Sequence, residues 1–210
     1  CKHLTGEWVT DPYSWRGLAN LEKKEYSSYF LKELGIDLKI LPKMLDYTDL
    51  VGYTKEIQLA ENRLAAGIPV FVGLNDYFAS LLGMGVQKEG DLFDISGTSE
   101  HVGVIQKELD METELVCGPY LNGNVQYGVT ASSGASIKFG MRIYEDLQID
   151  LDTMKKTNPP VFLPYLKGER APIWNPDARG VYFGIEEGCT RELLAYAAME
   201  GVVFSLYHIY

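Results

Sequence analysis

Two stretches decide the fold: Ile68-Pro-Val-Phe-Val-Gly-Leu-Asn-Asp76 and Asp91-Leu-Phe-Asp-Ile-Ser-Gly-Thr-Ser-Glu-His-Val-Gly-Val-Ile105. The first is a short apolar run that predicts a buried strand ending on a carboxylate, with a helix following over 77–82. The second predicts two strands joined by a tight corner, Gly97-Thr98-Ser99. An Asp after a strand can serve as a general base, and such a corner offers N–H groups and hydroxyls to a phosphate. Together the two stretches suggest phosphoryl transfer to a hydroxyl.

Each stretch also has a purely structural explanation. Asn75-Asp76 before a helix fits an N-cap, whose side chain accepts a hydrogen bond from the first helical turn. A Gly-Thr corner between strands is often only a hairpin turn. The functional interpretation therefore depends on finding both features about twenty residues apart in one chain.

The same stretches resemble the FGGY family of carbohydrate kinases, which includes xylulose, glycerol and gluconate kinases. The family has an apolar strand, a Gly, one or two residues, an Asp, and then a helix ending in Gly-x-Gly. Here these are Val70–Asp76 and Gly83-Met-Gly85, and Gly90-Asp91 leads into the strand before the corner. Further matching segments are Leu4-Thr5-Gly6-Glu7, Val9-Thr10-Asp11, Leu34-Gly35-Ile36-Asp37, Ser133–Ile137, Phe162–Gly180 and Gly180–Glu200.

The resemblance implies an α/β, ribonuclease-H-like fold of the actin and hexokinase type. Residues 1–86 would be the C-terminal part of the family's N-terminal, sugar-binding domain. Residues 87–210 would be the first part of its C-terminal, nucleotide-binding domain. The family's N-terminal phosphate hairpin and its C-terminal adenosine motif are not found in the sequence. We therefore expect this segment to be part of a longer kinase and to be inactive alone.

The resemblance also assigns residues. Asp76 matches the catalytic base that contacts the sugar, and Tyr77 stands where many members have a Gln that touches the sugar. Gly97-Thr98-Ser99 matches the loop that binds the β- or γ-phosphate of ATP. Gly134 matches a glycine at a helix start facing the nucleotide. Lys138, one turn later, either reaches phosphate or ribose or is an ordinary solvated residue.

Other polar residues near these motifs have two explanations each. His101 follows the corner, and we favour strand packing or a surface position over catalysis. Arg170 and Arg179 lie in a long loop, where they either contact the nucleotide or another domain, or pin the loop. We favour the second explanation, in which they form ion pairs with Glu169 or Asp177.

Composition excludes several classes of partner. The chain of 210 residues has a net charge of −10 and a pI near 4.8, which argues against nucleic acid and anionic membranes. Its three cysteines are widely spaced, which suggests reduced thiols in the cytoplasm and no zinc site. No metal-binding constellation is visible. The family's Mg²⁺ would be held by ATP and by an acidic residue of the N-terminal hairpin.

The function that the resemblance implies is ATP-dependent phosphorylation of a sugar or polyol, with a pentulose such as xylulose as the first expectation. The alternative is a non-catalytic module of the same fold that senses a sugar or a nucleotide. Asp76 and the intact corner favour the kinase, whereas Tyr77 and Lys138 depart from the common pattern. We leave open whether the protein forms a homodimer.

Local patterns predict the remaining elements. An aromatic stripe predicts a helix over Glu22–Leu34 that packs in the core, with Gly35 ending it. The other predicted helices cover 57–66, 135–147 and the segment after Thr190, with a short helical stretch in 150–157. The other predicted strands lie at 51–54, within 114–130 as a hairpin around Asn122-Gly123-Asn124, at 162–165 and at 181–185.

Overall fold

The computed structural model describes residues 1–15, 17–21, 23–59, 61–121, 123–143, 149–154 and 157–210. Contacts between Cα atoms divide the chain into two compact units, Cys1–Gly85 and Val86–Tyr210. Both units mix helices with strands, as an α/β protein does. Among the described residues, no helix combines the length and the apolar character needed to cross a membrane.

The first unit is built from short elements joined by turns. Its helices are α1 (Lys2–Thr5), α2 (Ser28–Glu33) and α3 (Asp76–Gly83), with a 3₁₀ turn at Leu38–Ile40. Its strands are β1 (Val9–Thr10), β2 (Ala19–Asn20), β3 (Glu25–Tyr26), β4 (Lys43–Met44), β5 (Leu50–Tyr53), β6 (Ile57–Leu59), β7 (Asn62–Leu64) and β8 (Pro69–Phe71). The pair β1–β4 is parallel, and the pairs β2–β3, β5–β8 and β6–β7 are antiparallel.

Helix α3 is fixed by a cap at its start and by apolar packing along its inner face. Gly73, at a φ of +78°, turns the chain after β8. Asn75 is the N-cap, and its side chain accepts a hydrogen bond of 3.0 Å from the Phe78 N–H. Phe78 and Leu81 are buried, and the Phe78 ring packs 5.2 Å from that of Tyr13. The predicted helix after Asp76 is thus confirmed.

The predicted helix over 57–66 is wrong, because this segment forms the hairpin of β6 and β7. Thr54 closes the base of this hairpin. Its hydroxyl donates to the Ala65 carbonyl at 2.7 Å and accepts from the Ile68 N–H at 3.0 Å. Such a contact between residues distant in sequence outweighs the weak local helical preference of the segment.

The predicted helix over Glu22–Leu34 is mostly wrong. Glu22 itself lies outside the described residues, and the chain first forms β3. Helix α2 starts only after Ser27, whose hydroxyl accepts from the Phe30 N–H. It ends as predicted, with Gly35 in the left-handed region at a φ of +64°. The aromatic stripe is not in the core, since Tyr29 is 65% exposed.

Strand β8 forms as predicted, but it is not buried. Ile68 and Phe71 are exposed by 44% and 55%. Among the described residues β8 pairs with β5 alone, so one of its edges has no neighbouring strand. The apolar run therefore predicted the strand correctly, but the prediction that this strand is buried was wrong.

The second unit contains a four-stranded antiparallel sheet in the order β11-β12-β10-β9. Its strands are β9 (Leu92–Ser96), β10 (Glu100–Gln106), β11 (Val116–Tyr120) and β12 (Gly123–Val129), and β13 (Val161–Leu163) pairs with β14 (Val181–Phe183). Its helices are α4 (Gly134–Ile143), α5 (Leu151–Met154) and α6 (Arg191–Tyr207). The predicted hairpins, strands and helices of this unit are confirmed over the described residues, and Asn122, 144–148 and 155–156 lie outside them.

The core of the second unit lies where helices meet strands. Phe162 of β13 packs against Ala197 and Ala198 of α6, and its ring lies 4.5 Å from that of Tyr182. Thr190 caps α6 by accepting from the Leu193 N–H, as predicted. Small residues on α6 allow this helix to approach β13 closely.

We expect Gly201→Ala to destabilise the protein, because a Cβ atom at this position of α6 would lie 2.2 Å from the Phe162 carbonyl oxygen. Alanine stabilises a helix by about 1 kcal/mol relative to glycine, but overpacking costs about 1–3 kcal/mol. A lower free energy of unfolding in urea is therefore expected. Gly83→Ala in α3 is the control, since its Cβ would meet nothing within 4 Å. It should be neutral or stabilising, and equal effects of both changes would contradict the packing argument.

Candidate functional site

Asp76 is the first residue of α3, and its side chain is exposed. One carboxylate oxygen accepts the N–H of Tyr77 at 2.8 Å. The capping role that could have explained Asp76 belongs to Asn75 instead. The positive end of the helix dipole favours a negative charge at this position. Asp76 therefore presents a carboxylate to solvent that the helix does not need as a cap.

Tyr77 follows Asp76 but points partly inward. Its side chain is half-buried, and its ring meets that of Phe78 edge to face at 5.2 Å. Aromatic pairs of this geometry contribute to packing beyond the area they bury. Tyr77 therefore has a structural role in the first unit, while its contact with a sugar stays a prediction.

The Gly97-Thr98-Ser99 corner joins β9 to β10 in the second unit, where Ser96 pairs with Glu100 across the hairpin. Gly97 and Thr98 are exposed and Ser99 is half-buried. The corner meets the start of α4. The N–H groups of Ser133, Gly134 and Ala135 donate to the carbonyls of Thr98, Gly97 and Thr98, at 3.0, 3.1 and 3.3 Å.

These hydrogen bonds change the physical argument for Gly134. The resemblance predicted a helix start at Gly134 that faces the nucleotide, but the first amide groups of this helix already have partners in the corner. A Cβ atom at Gly134 would lie 2.4 Å from the Gly97 carbonyl oxygen. Glycine is needed here for the close approach of the helix to the corner. Its contact with a nucleotide stays a prediction.

The opposite edge of the corner is available to a ligand. Among the residues the structure describes, the Thr98 hydroxyl and the backbone N–H groups of Gly97, Thr98 and Ser99 have no hydrogen-bond partner. Consecutive N–H groups in a turn form a concavity that binds anions. Because the carbonyls of Gly97 and Thr98 are turned toward α4, the edge left open to an anion is the one rich in donors.

Lys138 lies four residues after Gly134, which places both on one face of α4. Its side chain is exposed, and within the described ranges it forms no ion pair. The ammonium group is therefore not committed to another residue. Both explanations of Lys138, a ligand contact and a solvated position, remain open.

Glu100, the first residue of β10, is a functional candidate that the sequence analysis missed. Its side chain is only 5% exposed. The two carboxylate oxygens accept hydrogen bonds from the hydroxyls of Ser96 and Ser133. The signal available in the sequence was the pairing of Ser96 with Glu100 across a three-residue corner, which places both side chains on one face.

Asp94 lies beside this group on β9. Partial burial raises the pKa of Asp94 above its usual range, and the hydrogen bond and negative charge of Glu100 raise it further. The Ser96 hydroxyl is 3.4 Å from an Asp94 carboxylate oxygen and also donates to Glu100. Two carboxylates thus lie close together just before and just after the corner.

His101 follows Glu100 and packs in the sheet. Its side chain is half-buried, with its ring 6.0 Å from that of Tyr127, which fits the packing explanation. Burial lowers the pKa of His101, and the positive charge of Arg170 lowers it further. The neutral imidazole is therefore the favoured form near neutral pH.

The long loop over 167–179 is pinned, but not by the predicted ion pairs. Buried Glu169 accepts the N–H groups of Ala131 and Arg170, at 2.6 and 2.7 Å. Arg179 donates to the carbonyls of Pro176 and Ala178, at 2.9 and 2.8 Å. Backbone groups therefore bond to the Arg179 guanidinium and to one oxygen of Glu169, whereas the other oxygen, Oε2, is buried without a hydrogen-bond partner among the described residues.

The described residues contain no group of three or more His, Cys, Asp or Glu side chains arranged to hold a metal ion. The acidic pair of Asp94 and Glu100 does not form such a group. We therefore assign Mg²⁺ no ligand among the described residues.

Comparison with known proteins places these features in a family. The model of the N-terminal domain of the FGGY family of carbohydrate kinases matches residues 1–83, and that of the C-terminal domain matches residues 93–210. A gluconokinase of Bacillus subtilis is 28% identical, with 100% of this chain and 45% of the relative covered. A glycerol kinase of Thermococcus kodakarensis is 31% identical, with 96% of this chain and 42% of the relative covered.

The fold agrees with this match. A ligand-bound xylulose kinase from Lactobacillus acidophilus superimposes with a TM-score of 0.80 at 26% identity, over 99% of this chain and 45% of that chain. The architecture is thus that of the α/β proteins with a ribonuclease-H-like ATPase fold. The chain belongs to the FGGY family of carbohydrate kinases. It spans about half the length of the curated relatives it matches, 45% and 42% for the two named above.

The carboxylate pair beside the corner gives a prediction about pH. The raised pKa of Asp94 means that the fold favours its protonated form. Its contribution to stability is therefore present below the unfolded pKa of about 3.9 and is lost as the pH rises through the folded pKa. Asp94→Asn should raise the melting temperature at about pH 7.5, and the difference should disappear near about pH 3.5.

Asp91 is the control with the opposite sign. Its carboxylate accepts the N–H groups of Lys88 and Gln87, which lowers its pKa. That stability is present above the unfolded pKa and is lost as the pH falls through the folded pKa. Asp91→Asn should therefore lower the melting temperature at neutral pH. If Asp94→Asn also lowers it there, Asp94 and Glu100 do not repel each other in the folded protein.

Proposed function

We propose that the protein transfers the terminal phosphoryl group of ATP to a hydroxyl of a sugar or polyol. The observation that carries this proposal is the corner at Gly97-Thr98-Ser99. The carbonyls of Gly97 and Thr98 are held by the first turn of α4, while its N–H groups and the Thr98 hydroxyl have no partner among the described residues. Phosphoryl transfer depends mainly on positioning and on stabilising the charge of the phosphates, and donors of this kind supply both.

The proposed general base is Asp76. An exposed carboxylate that is not needed as a helix cap can accept a proton from a substrate hydroxyl. As the hydroxyl oxygen attacks the γ-phosphorus, a new O–P bond forms and the bond from phosphorus to the bridging oxygen of ADP breaks. The hydroxyl proton passes to the Asp76 carboxylate, and ADP leaves with the electron pair of the broken bond.

The parts of the chain have different proposed roles. We propose that residues 1–86 belong to the part that binds the sugar and residues 87–210 to the part that binds the nucleotide. The separate matches of the N-terminal domain model to 1–83 and of the C-terminal domain model to 93–210 support a division in this region. Gly134 and Lys138 would lie on the nucleotide side. Mg²⁺ would arrive bound to the phosphates of ATP and neutralise part of their charge.

The substrate is proposed as a class. The relatives include a gluconokinase, a glycerol kinase and a xylulose kinase, whose names refer to an aldonate, a polyol and a ketopentose. A ketopentose such as xylulose is our first expectation. Tyr77, half-buried beside Asp76, would contact the sugar. A location in the cytoplasm, which the three widely spaced cysteines suggest, and assembly as a homodimer are further proposals.

An ADP-coupled assay of the complete protein tests this function. Ketoses, polyols and aldonates are supplied one at a time, and ADP release is followed with and without each. We expect turnover that depends on one of these classes. Turnover with none of them, alongside measurable ATP binding, would favour the non-catalytic sensor, to which the departures at Tyr77 and Lys138 point.

Asp76→Asn tests the proposed base. The amide keeps the shape of the side chain but does not take up the proton, so kcat should fall by about two to four powers of ten. The KM for ATP should change little, because the proposed role of Asp76 concerns the sugar hydroxyl. Steady-state kinetics with both substrates measures the two effects separately.

The matched control is Ser80→Ala. The Ser80 hydroxyl donates to the backbone carbonyl of Asp76 at 2.7 Å, so this change alters the same helical turn and leaves the carboxylate in place. It should retain near-normal turnover. Full activity of Asp76→Asn would remove this residue from the mechanism, whatever the result for Ser80→Ala.

Thr98→Val tests the corner. Valine keeps the shape of threonine and removes the hydroxyl, and a hydrogen bond to a charged group is worth about 1.5–3 kcal/mol. The kcat/KM for ATP should therefore fall by about one to two powers of ten, with the KM for the sugar unchanged. Thr98→Ser, which keeps the hydroxyl, should be affected much less. A loss of sugar affinity in place of ATP affinity would show that the corner binds the other substrate.

A further inference from the structure

Glu100 connects three parts of the second unit. Its backbone N–H donates to the Thr130 hydroxyl at 3.1 Å, and its carbonyl accepts the Thr130 N–H at 3.0 Å. Its buried carboxylate accepts from the hydroxyl of Ser96, the last residue before the corner. The other carboxylate oxygen accepts from the hydroxyl of Ser133, just before α4.

The same two serines mark the boundaries of the corner and the helix. Ser96 ends the strand that enters the corner. Ser133 donates its backbone N–H to the Thr98 carbonyl at 3.0 Å, so it holds the corner through its main chain and Glu100 through its side chain. One carboxylate therefore ties the strand before the corner to the helix turn against which the corner rests.

A carboxylate is an unexpected residue beside a corner that would receive phosphate. Buried negative charge repels an anion and is costly to desolvate unless it is well hydrogen-bonded. Both oxygens of Glu100 receive a hydroxyl donor, which offsets the cost of burial. The unfavourable charge next to the proposed ATP site is explained if the carboxylate holds the corner in place.

We propose that Glu100 is a positioning residue that, through Ser96 and Ser133, fixes the Gly97-Thr98-Ser99 corner in the geometry that binds the phosphates of ATP. This inference rests on the proposed function of the corner. Glu100 does not itself touch the nucleotide. It acts by limiting the movement of the corner relative to α4, so that the donors are oriented before the ligand arrives.

Removing the negative charge of Glu100 would change ATP affinity in opposite directions under the two explanations of this residue. The inference can therefore be tested. If Glu100 only placed a negative charge near the phosphates, Glu100→Gln would tighten ATP binding. If it positions the corner, the same change weakens ATP binding, because the amide nitrogen of glutamine does not accept a hydrogen bond from a serine hydroxyl. ATP affinity is measured by calorimetry on the complete protein, which does not require turnover.

The experiment compares Glu100→Gln, Ser133→Ala and the double variant. We expect each single change to weaken ATP binding by about fivefold to thirtyfold, with the KM for the sugar unchanged. The double variant should be no more than about twofold weaker than the worse single variant, because both changes break the same connection. Ser133→Ala keeps its backbone N–H and removes one hydroxyl, so it tests the same connection if Glu100→Gln does not fold.

Glu169→Gln is the matched control for a general structural effect. Glu169 is also a buried carboxylate of the second unit, with 4% exposure, and it accepts the backbone N–H groups of Ala131 and Arg170 and none from the corner residues. Its variant removes the charge of a buried carboxylate, so its thermal stability should change while its ATP affinity should not. Equal weakening in Glu169→Gln and Glu100→Gln would assign the effect to general loosening of the unit and overturn the inference.

The outcomes separate this inference from the proposed function. Absence of sugar-dependent turnover in the wild-type protein counts against the kinase, while the ATP titrations still test Glu100. Unchanged or tighter ATP binding in both Glu100→Gln and Ser133→Ala overturns the positioning role even if the kinase assay succeeds. The positioning role is also overturned if the losses of ATP affinity in the two single variants multiply in the double variant. A wild-type protein that binds no ATP overturns both.

Discussion

The arrangement of the second unit depends on the close approach of α4 to the corner between β9 and β10. Three amide groups at the start of the helix lack partners within the helix itself, and the carbonyls of Gly97 and Thr98 supply them at 3.0–3.3 Å. This contact requires glycine at 134, where any Cβ atom would lie 2.4 Å from a carbonyl oxygen. Since the carbonyls are held inward, the N–H groups and the Thr98 hydroxyl form the free edge of the corner.

In the first unit a side chain, not a backbone carbonyl, accepts a hydrogen bond from the N–H groups at the start of a helix. The start of α3 is satisfied by Asn75, which accepts the Phe78 N–H at 3.0 Å. Because the cap is the residue before it, the carboxylate of Asp76 stays exposed at the positive end of the helix. Each candidate group thus owes its availability to a neighbour that satisfies the helix terminus, a backbone carbonyl in one unit and an amide side chain in the other.

The sequence predicted elements whose signals are local. The hairpin at the corner, the capped helices after Asn75 and Thr190, and the left-handed Gly35 follow from turn and cap chemistry within a few residues. The helix predicted over 57–66 was wrong because the contact that decides it runs from Thr54 to Ala65 and Ile68. The exposure of β8 was missed because an apolar run indicates a strand but does not indicate how many neighbours it has.

In the candidate site, too, local features were predicted and contacts between residues distant in sequence were missed. Asp76 and the corner were predicted by their position after a strand and within a hairpin, which are local features. Glu100 was missed because its role depends on Ser133, which lies 33 residues away in sequence and reaches it only in the folded unit. The ion pairs predicted for Arg170 and Arg179 were wrong for a similar reason, since Glu169 accepts backbone N–H groups, one of them from Ala131 outside the loop, and Arg179 donates to backbone carbonyls.

The acidic composition of the chain explains why the binding of an anion would depend on short-range contacts in the corner. A protein with a net charge of −10 repels a polyphosphate at long range, so binding depends on donors at short range. Backbone N–H groups carry no net charge and lose no side-chain entropy when they are fixed, but they bind an anion only if the turn is held rigidly. A buried carboxylate that anchors the turn through two hydroxyls provides that rigidity, and its own charge is balanced by the donors it receives. In such a corner the geometry of the main chain supplies donors to an anion in a chain whose acidic side chains outnumber its basic ones, 29 to 19.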